Sequence, residues 1–340
     1  MTFLDGKRVL VTGGTGSLGQ ALVRRILSGE EGQPSRVTVL SRDEAKQHEM
    51  RLAYAQQPQA TDDIIYAAAR DALAFHVGDV RDYDALRWAV AEADVIVHAA
   101  ALKQVPTCEY FPEEAFRTNT GGAANLARAV REAGNVEVVV GVSTDKACKP
   151  VNVIGMTKAL SERILVEANR HVPNTRLVCV RYGNVLASRG SIIPLFQEQA
   201  ARGGPLTVTV PEMTRFLLSL DDAVSVVFAA MKHAAAGEII VPKLESARIV
   251  DVAETIIGDR PAAIEYTGIR PGEKVHEVLV SEEELPRTVE RNGFFTIGSV
   301  LEYAQEAPAL REEYSSRNPT LEGERLRAVL APFLSSGGGP

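Results

Sequence analysis

Short apolar runs alternate with amphipathic segments over the first half of the chain. Runs rich in β-branched and aliphatic residues occur at 8–12, 35–42, 73–79, 93–101, 136–144 and 176–183. Segments with helical periodicity lie between them, most clearly at 18–27, 119–134 and 155–170. Nearly continuous Val-rich strands separated by helices are typical of a parallel sheet covered on both faces. The pattern therefore predicts an α/β fold with a Rossmann-like, doubly wound parallel sheet.

The pattern loosens after residue 185 and predicts a smaller C-terminal lobe. A short apolar run at 206–210, a helix from Leu220, a strand at 238–242 and a helix from Ile249 follow one another. We assign residues 1–185 and returning segments at about 218–255 to the main domain. The lobe then comprises residues 186–217 and 256–330, and residues 331–340 form a disordered tail. Residues 53–72 form a Gln/Ala-rich connection that neither neighbouring strand requires.

Composition and charge exclude several classes of protein. The chain has 340 residues, 37 Lys and Arg against 44 Asp and Glu, and a formal net charge of −7. An acidic chain is a poor candidate for nucleic-acid binding, which needs a basic face. Three cysteines without a CxxC pair suit a reducing compartment. No apolar run approaches the roughly 18 residues of a membrane span, and no signal peptide is evident. We therefore expect a cytoplasmic protein without membrane or nucleic-acid partners.

A glycine-rich turn follows the first strand and opens the first helix. Glycines stand at 13, 16 and 19, with Thr15, Ser17 and Leu18 between them. This spacing allows a tight turn, a close approach of backbone to a pyrophosphate and close helix packing. The N–H groups of the helix N-terminus can then hold the anion. The alternative is a glycine-rich turn without a ligand.

The end of the second strand favours NADP over NAD. An acidic side chain there would hold a ribose hydroxyl, whereas Arg accommodates a 2′-phosphate. The chain has Ser41-Arg42 at this point and Lys46 one helical turn later. Asp79 and Val80, after the third strand, are placed to meet the adenine, although Asp79 could instead cap the following helix.

Five further motifs together resemble a known family. They are HAAALKQVP (98–106), VSTDKACKPVNVIGMTK (142–158), VRYGNVLASRGS (180–191), MTRF (213–216) and GIRPGEKVHEVL (268–279). With the glycine turn, they resemble the extended short-chain dehydrogenase/reductases. Within that group they are most similar to the short soluble form of the UDP-N-acetylglucosamine (UDP-GlcNAc) 4,6-dehydratases of polysaccharide biosynthesis. The resemblance runs from about residue 7 to about residue 300.

The resemblance implies a redox-neutral elimination of water from a UDP-sugar. Hydride leaves C4, water leaves across C5–C6, and the hydride returns to C6. The product would be a UDP-4-keto-6-deoxy-N-acetylhexosamine. This reaction needs a base at the C4 hydroxyl, a base at C5–H and an acid at the C6 hydroxyl.

The Asp145-Lys146 pair follows the fifth strand, at the sheet edge where ligands bind. By resemblance, Asp145 is the acid at C6, Lys146 is the base at C5, and Lys158 contacts the nicotinamide ribose. The alternative for Asp145 and Lys146 is a solvated ion pair, and for Lys158 a surface lysine. His98, at the end of a buried strand, is expected to be a core histidine.

One residue departs from the family pattern. The usual base, a tyrosine four residues before Lys158, is replaced by Ile154. We therefore expect Thr144, directly or through water, to take the C4 proton, with Lys146 acting twice as an alternative. The departure keeps two other hypotheses open, a UDP-sugar 4-epimerase and a nucleotide-binding pseudoenzyme.

The remaining expectations concern the ligands. We expect Lys103 over the sugar, Glu273 at the uridine ribose, and Asn184 and three arginines at the pyrophosphate. The arginines are Arg189, Arg215 and Arg270. The expected cofactor contacts are Gly13, Thr15, Gly16, Ser17, Leu18, Gly19, Ser41, Arg42, Lys46, Asp79, Val80, Ala99, Ala100, Ala101, Lys158 and Tyr182. No metal ligand spacing is present, and a homo-oligomer, dimer or larger, is expected.

Overall fold

A computed structural model describes residues 2–55, 72–186, 191–258, 260–301 and 306–334. Its strands are β1 Arg8–Thr12, β2 Arg36–Ser41, β3 Leu73–Val77, β4 Val95–His98, β5 Val138–Val142, β6 Arg176–Val180, β7 Asn184–Val185, β8 Leu206–Val208, β9 Thr214–Leu218, β10 Ile239–Pro242, β11 Glu245–Arg248, β12 Ile264–Tyr266, β13 Val278–Val280, β14 Thr288–Arg291, β15 Phe294–Ile297 and β16 Tyr314–Ser315.

The α-helices alternate with the strands of the main sheet. They are α1 Ser17–Leu27, α2 Glu44–Ala55, α3 Tyr83–Ala91, α4 Val105–Tyr110, α5 Pro112–Ala115, α6 Gly122–Ala133, α7 Val153–Ala168, α8 Ile192–Ala201, α9 Leu220–His233, α10 Ile249–Ile257 and α11 Gly323–Leu334. A π-helical turn, Phe116–Gly121, precedes α6. Tight 3₁₀ turns occur at Asp145–Ala147, Asn169–His171 and Glu282–Arg287.

The described residues form a nine-stranded main sheet in the order β14-β15-β10-β6-β5-β4-β1-β2-β3. The strands from β3 to β10 in this order are parallel, whereas β15 and β14 add antiparallel hairpin strands at one edge. The order in which successive strands are added to the sheet reverses between β1 and β4, and in such sheets ligands bind at the carboxyl ends of the strands near this point. The predicted Rossmann-like, doubly wound fold is confirmed.

Both faces of the sheet are buried, because alternate strand residues enter two different apolar clusters. Val9 and Val11 of β1 pack in the cluster that contains α1 and α9, whereas Leu10 packs on the opposite face with α3 and α6. Val138 and Val140 of β5 divide from Val139 in the same way. A strand with two buried faces needs apolar residues at every position, which explains the unbroken Val-rich runs.

A third cluster forms the smaller lobe. It joins α8, α10 and α11 to the paired strands β8 and β12, with Phe196 fully buried at its centre. Two segments differ from the predicted division. Helix α10 packs in the lobe, although we assigned residues up to 255 to the main domain, and β14 and β15 extend the main sheet, although we assigned 256–330 to the lobe.

The predicted C-terminal tail and the predicted connection at 53–72 are both partly helical. Residues 331–334, predicted as part of a disordered tail, continue helix α11, where Leu330 is buried in the lobe. Residues 335–340 lie outside the described residues. The connection predicted at 53–72 begins with the last residues of α2, and its residues 56–71 lie outside the described part of the chain.

Candidate active site

The glycine turn has the geometry that its spacing predicts. Gly13 has a φ of +70°, and a Cβ there would lie 2.8 Å from backbone atoms of Ala100. A Cβ on Gly19 would lie 2.4 Å from the Gly13 carbonyl oxygen. Gly16 precedes α1, and no side chain caps the helix, so its first N–H groups are open to a ligand. Both glycines are therefore required by close packing of α1 on β1 and β4.

A cleft of about 840 Å³ opens over this turn, between the carboxyl ends of the main sheet and the lobe. Every residue of the expected cofactor set lines it: Gly13, Thr15, Gly16, Ser17, Leu18, Gly19, Ser41, Arg42, Lys46, Asp79, Val80, Ala99, Ala100, Ala101, Lys158 and Tyr182. Buried polar atoms without a hydrogen-bond partner among the described residues also concentrate there. They are Thr118 Oγ1, Ser143 Oγ, Tyr182 Oη, Ser191 Oγ and Glu277 Oε2. Since buried polar groups are normally paired, these residues fit a large polar ligand.

Charged pairs stand at the end of β2, where the cofactor ribose is expected. Arg42 Nη1 lies 3.8 Å from Asp79 Oδ2, and the Arg42 side chain is 56% exposed. Lys46 Nζ lies 2.5 Å from Asp43 Oδ2. Burial raises the pKa of Asp79, but Arg81 and Arg42 outweigh it and lower that pKa overall. Arg42 and Lys46 are thus paired with carboxylates at the surface, those of Asp79 and Asp43. An anionic ligand can displace these carboxylates and bind both cations. Asp43 was not anticipated from the sequence.

Asp79 is not the cap of the next helix, the alternative that we considered. Asp82 caps α3, because its carboxylate accepts the backbone N–H groups of Asp84 and Ala85.

The Thr144-Asp145-Lys146 segment forms a compact corner at the end of β5. Asp145 is only 1% exposed, and its Oδ1 accepts hydrogen bonds from Thr144 Oγ1 (2.8 Å) and Lys146 Nζ (3.0 Å). Its backbone N–H donates to the Tyr182 carbonyl (3.0 Å), which fixes the corner to the segment after β6. Thr144 and Lys146 line the cleft, whereas the Asp145 carboxylate lies beneath them. The pair is therefore not a solvated ion pair.

Burial lowers the pKa of Lys146, but the carboxylates of Asp145 and Glu277 outweigh this effect and raise it above the ordinary lysine value. Lys146 is consequently an ammonium group in the cleft and can donate a proton at neutral pH.

Glu277, which the sequence analysis did not single out, completes this corner. It lines the cleft, is 2% exposed, and its Oε1 lies 3.7 Å from Lys146 Nζ and 3.8 Å from Arg215 Nε. The only sequence signal is an acidic residue directly before the buried β13 run in the GIRPGEKVHEVL motif. Arg215 also lines the cleft, but its Nη atoms donate to three main-chain carbonyls, those of Thr214, Lys274 and Val275. Its guanidinium thus chiefly fixes the loop that carries Glu277.

Lys158 and His98 are buried at the back of the cleft. Lys158 is 6% exposed and lines the cleft, so it is not a surface lysine. Burial lowers its pKa. His98 Nδ1 lies 2.8 Å from Thr12 Oγ1, and Nε2 has no partner among the described residues. Burial, aided by the charge of Lys158, lowers the pKa of His98 to about 3. His98 is therefore a neutral core histidine.

Ile154 occupies an apolar environment, which explains how the departure is accommodated. It is 4% exposed and packs in a small cluster with Cys108 and Ala115. Its side chain reaches the cleft wall, so the wall is apolar where the family base would stand. A proton acceptor at this site must come from another element, and Thr144, between β5 and the 3₁₀ turn Asp145–Ala147, lines the same cleft.

The expected substrate residues meet on the lobe side of the cleft. Lys103, Asn184, Arg270 and Glu273 all line it, and Arg189 lies outside the described residues. Thr207 and Thr209, which we did not predict, also line the cleft, and Thr209 Oγ1 lies 3.4 Å from Glu273 Oε2. The alternation in the run LTVTV could have identified both threonines, since Leu206 and Val208 face the lobe core.

Within the described residues, no group of three or more His, Cys, Asp or Glu side chains is placed to hold a metal ion. No helix in that part of the chain is long and apolar enough to cross a membrane.

Comparison with known proteins identifies the family. The family described as "Polysaccharide biosynthesis protein" matches residues 9–299. The chain belongs to this family. A UDP-glucose 4-epimerase of Rickettsia conorii is 41% identical over 330 residues, covering 93% of this chain and 92% of the relative.

Two solved structures share the fold. The structure of Pen from Bacillus thuringiensis is 32% identical, with a TM-score of 0.86, and covers 97% of this chain and 99% of that chain. A dTDP-glucose 4,6-dehydratase from Streptomyces venezuelae, solved with NAD, is 24% identical with a TM-score of 0.66, covering 79% and 86%. The family thus contains a relative named as a sugar-nucleotide 4-epimerase, and both solved structures share the Rossmann-like fold of this chain.

Proposed function

We propose that this protein is an NADP-dependent UDP-GlcNAc 4,6-dehydratase. The observation that carries the proposal is the corner at the end of β5. There the Thr144 hydroxyl and the Lys146 ammonium group are both hydrogen-bonded to the buried Asp145 carboxylate. The Glu277 carboxylate lies on the other side of Lys146. A 4-epimerization needs proton exchange at one hydroxyl, whereas a dehydration needs proton transfer at three positions.

The cofactor proposal rests on the glycine turn and the basic rim. The glycine turn and the start of α1 would hold the pyrophosphate, and Arg42 with Lys46 would hold the 2′-phosphate of NADP. Lys158, which is buried and lines the cleft, would hold the nicotinamide ribose. When bound, NADP+ supplies a hydride acceptor for C4 and, once reduced, a hydride donor for C6.

The C4 proton would leave through Thr144 to Asp145. Thr144 Oγ1 donates to Asp145 Oδ1 at 2.8 Å, so a lone pair of the same hydroxyl can accept the substrate proton. The proton already on Thr144 then passes to the carboxylate. This relay needs no tyrosine at position 154.

Lys146 would donate the proton that lets the C6 hydroxyl leave as water. It is an ammonium group in the cleft, and Asp145 Oδ1 is 3.0 Å from its Nζ. The proton that Asp145 receives from C4 can thus replace the one that Lys146 gives up. On the lobe side, Arg270 would pair with the substrate pyrophosphate and Glu273 with the uridine ribose hydroxyls.

Mass spectrometry of the products in D2O, with UDP-GlcNAc and NADP+, tests the proposal. We expect a product lighter by one water, with deuterium at C5. Lys146→Met should abolish this product, whereas Lys149→Met, an exposed lysine beside the corner, should not. Binding of cofactor and nucleotide without turnover would instead indicate a pseudoenzyme.

The second candidate is a UDP-sugar 4-epimerase. It is favoured by the name of the Rickettsia relative, a UDP-glucose 4-epimerase, and by the burial of Asp145 beneath the cleft surface. In the same experiment, with UDP-glucose as well as UDP-GlcNAc, this function gives an isomer of unchanged mass and no deuterium at C5.

A further inference from the structure

Glu277 is a buried carboxylate with a fixed backbone at the mouth of the catalytic corner. It directly precedes β13, is 2% exposed and lines the cleft. Its backbone N–H donates to Ser316 Oγ at 3.0 Å, and its carbonyl accepts the Ser316 N–H at 2.8 Å. The backbone that carries the side chain is therefore fixed to the segment at Ser316, directly after β16.

Three cations surround this carboxylate, but none is within hydrogen-bond distance of it. Lys146 Nζ and Arg215 Nε lie 3.7 and 3.8 Å from Oε1, and Lys274 Nζ lies 3.9 Å from Oε2. Each cation is bonded elsewhere: Lys146 to Asp145, Arg215 to main-chain carbonyls and Lys274 to the Cys148 carbonyl at 2.6 Å. Glu277 Oε2 has no hydrogen-bond partner among the described residues.

Burying a carboxylate oxygen that has no hydrogen-bond partner costs free energy, so such a group calls for a functional explanation. Glu284, a structural carboxylate that is 7% exposed, receives hydrogen bonds from the Arg181 guanidinium at 2.8 and 3.0 Å, whereas Glu277 Oε2 and Asp145 Oδ2 have no partner among the described residues. Glu277 Oε2 is thus an unused acceptor, and the Glu277 side chain, unlike that of Asp145, lines the cleft. A carboxylate at this position can take a proton from a substrate bound in the cleft.

We propose that Glu277 is a further catalytic residue, the base that removes the C5 proton of the sugar while Lys146 acts as the acid at C6. This assignment rests on the proposed dehydratase function. It reverses the expectation for Lys146, which the resemblance made the base at C5. An ammonium group held between two carboxylates is in the wrong protonation state to accept a proton, and Asp145 lies beneath the cleft surface.

The atoms and electrons of the elimination balance with these roles. The electron pair of the C5–H bond becomes the second bond between C5 and C6, and the proton goes to Glu277. The C6–O bond breaks, and its electron pair takes a proton from Lys146, so that water leaves. Asp145, which received the C4 hydroxyl proton through Thr144, then reprotonates Lys146. When hydride returns to C6, Glu277 gives a proton back to C5.

The variant Glu277→Gln separates this role from a structural one. It keeps the size of the side chain and removes only the proton acceptor. We expect its C4 oxidation to persist, so that reduced nicotinamide accumulates to one equivalent in the near-ultraviolet spectrum. We expect water loss and deuterium incorporation at C5 in D2O to fall by about 10²- to 10⁴-fold. Glu277→Asp should recover part of both.

The exposed neighbour Glu283 provides the matched control, since Glu283→Gln removes an acidic group from the same segment outside the cleft. Its turnover should equal that of the unchanged protein. Water loss by Glu277→Gln within about threefold of the unchanged protein would overturn the role. Loss of cofactor reduction together with water loss would also overturn it, because that pattern indicates a structural defect. If the unchanged protein itself releases no water, the dehydratase function fails, and this step fails with it.

Discussion

At the scale of single residues, the direction of one hydrogen bond decides which group can accept a substrate proton. The Thr144 hydroxyl donates to the Asp145 carboxylate, which is 1% exposed, and accepts the Lys146 backbone N–H at 3.4 Å, so one of its two lone pairs remains for a substrate proton. Ile154, packed with Cys108 and Ala115, offers no proton acceptor. We therefore propose that Thr144, which follows β5, performs the proton transfer that a tyrosine at position 154 would perform.

Thr144→Val should slow cofactor reduction by UDP-GlcNAc by about 10²- to 10⁴-fold, the usual effect of losing a general base. Thr144→Ser keeps the hydroxyl and should remain within about tenfold of the unchanged protein. Single-turnover measurement of reduced nicotinamide provides the rates. A valine variant as fast as the serine variant would show that the C4 proton leaves by another route.

Arg42 sets the cofactor preference if it holds a 2′-phosphate. Arg42→Ala should raise the Kd for NADP by about ten- to a hundredfold, because hydrogen bonds to charged groups contribute about 1.5–3 kcal/mol. The Kd for NAD should stay unchanged. Arg36→Ala, at the other end of the same strand and paired with Glu92, is the control. Titration calorimetry with both cofactors measures the effect, and equal losses for NADP and NAD would contradict it.

At the scale of elements, one buried ion triad joins three parts of the chain. Arg181, just after β6, pairs with Glu162 of α7 and Glu284 of the 3₁₀ turn Glu282–Arg287 at 2.7 and 2.8 Å. Its guanidinium also donates to the Leu279 carbonyl of β13 at 2.9 Å. The triad therefore ties the helix that carries Lys158 to the strand that follows Glu277.

Arg181→Met should destabilise the protein by about 3–5 kcal/mol, because it leaves two buried carboxylates without a partner. Adding Glu162→Gln and Glu284→Gln should recover part of this loss, since the uncompensated charges are then gone. Arg117→Met removes a pair exposed on both sides and should change nothing measurable. Urea denaturation gives the free energies of unfolding. A single variant as stable as the control would contradict the argument.

At the scale of the whole molecule, the buried His98 makes stability depend on pH. Its pKa is about 3 in the folded protein, against 6.5 for an ordinary histidine. Below pH 6.5 the unfolded chain therefore binds a proton that the folded chain excludes. The sign is fixed by this difference: stability is fully present above pH 6.5 and is lost as the pH falls toward 3.

The loss attributable to His98 should approach about 1.4 kcal/mol per pH unit below 6.5. His98→Gln removes this titration, so its stability should fall less steeply between pH 6.5 and 4. Urea denaturation of both proteins at several pH values measures the difference, and carboxylate titrations cancel because both proteins share them. Parallel curves would show that His98 is protonated in the folded state.

Much of the main domain is determined by the sequence alone. The Val-rich runs predict the parallel strands because both faces of each strand are buried. The glycine spacing predicts the turn because Gly13 and Gly19 meet backbone atoms at distances that no Cβ permits. These are local or strictly periodic constraints, so they are visible along the chain. Strands β7, β9 and β13 were not anticipated, because runs of two to five residues are too short to establish a period.

Only the tertiary structure decided the protonation and the exposure of the groups around Asp145 and Lys146. Asp145 and Lys146 are adjacent in sequence, but Glu277 and Arg215 reach them from strands more than 60 residues away. The field of two carboxylates outweighs the effect of burial and keeps Lys146 an ammonium group, while burial places Asp145 beneath the cleft surface. Protonation depends on distance and solvent exclusion, and neither can be read from residue order. The sequence thus determined which groups are present, and the fold determined which of them can give or take a proton.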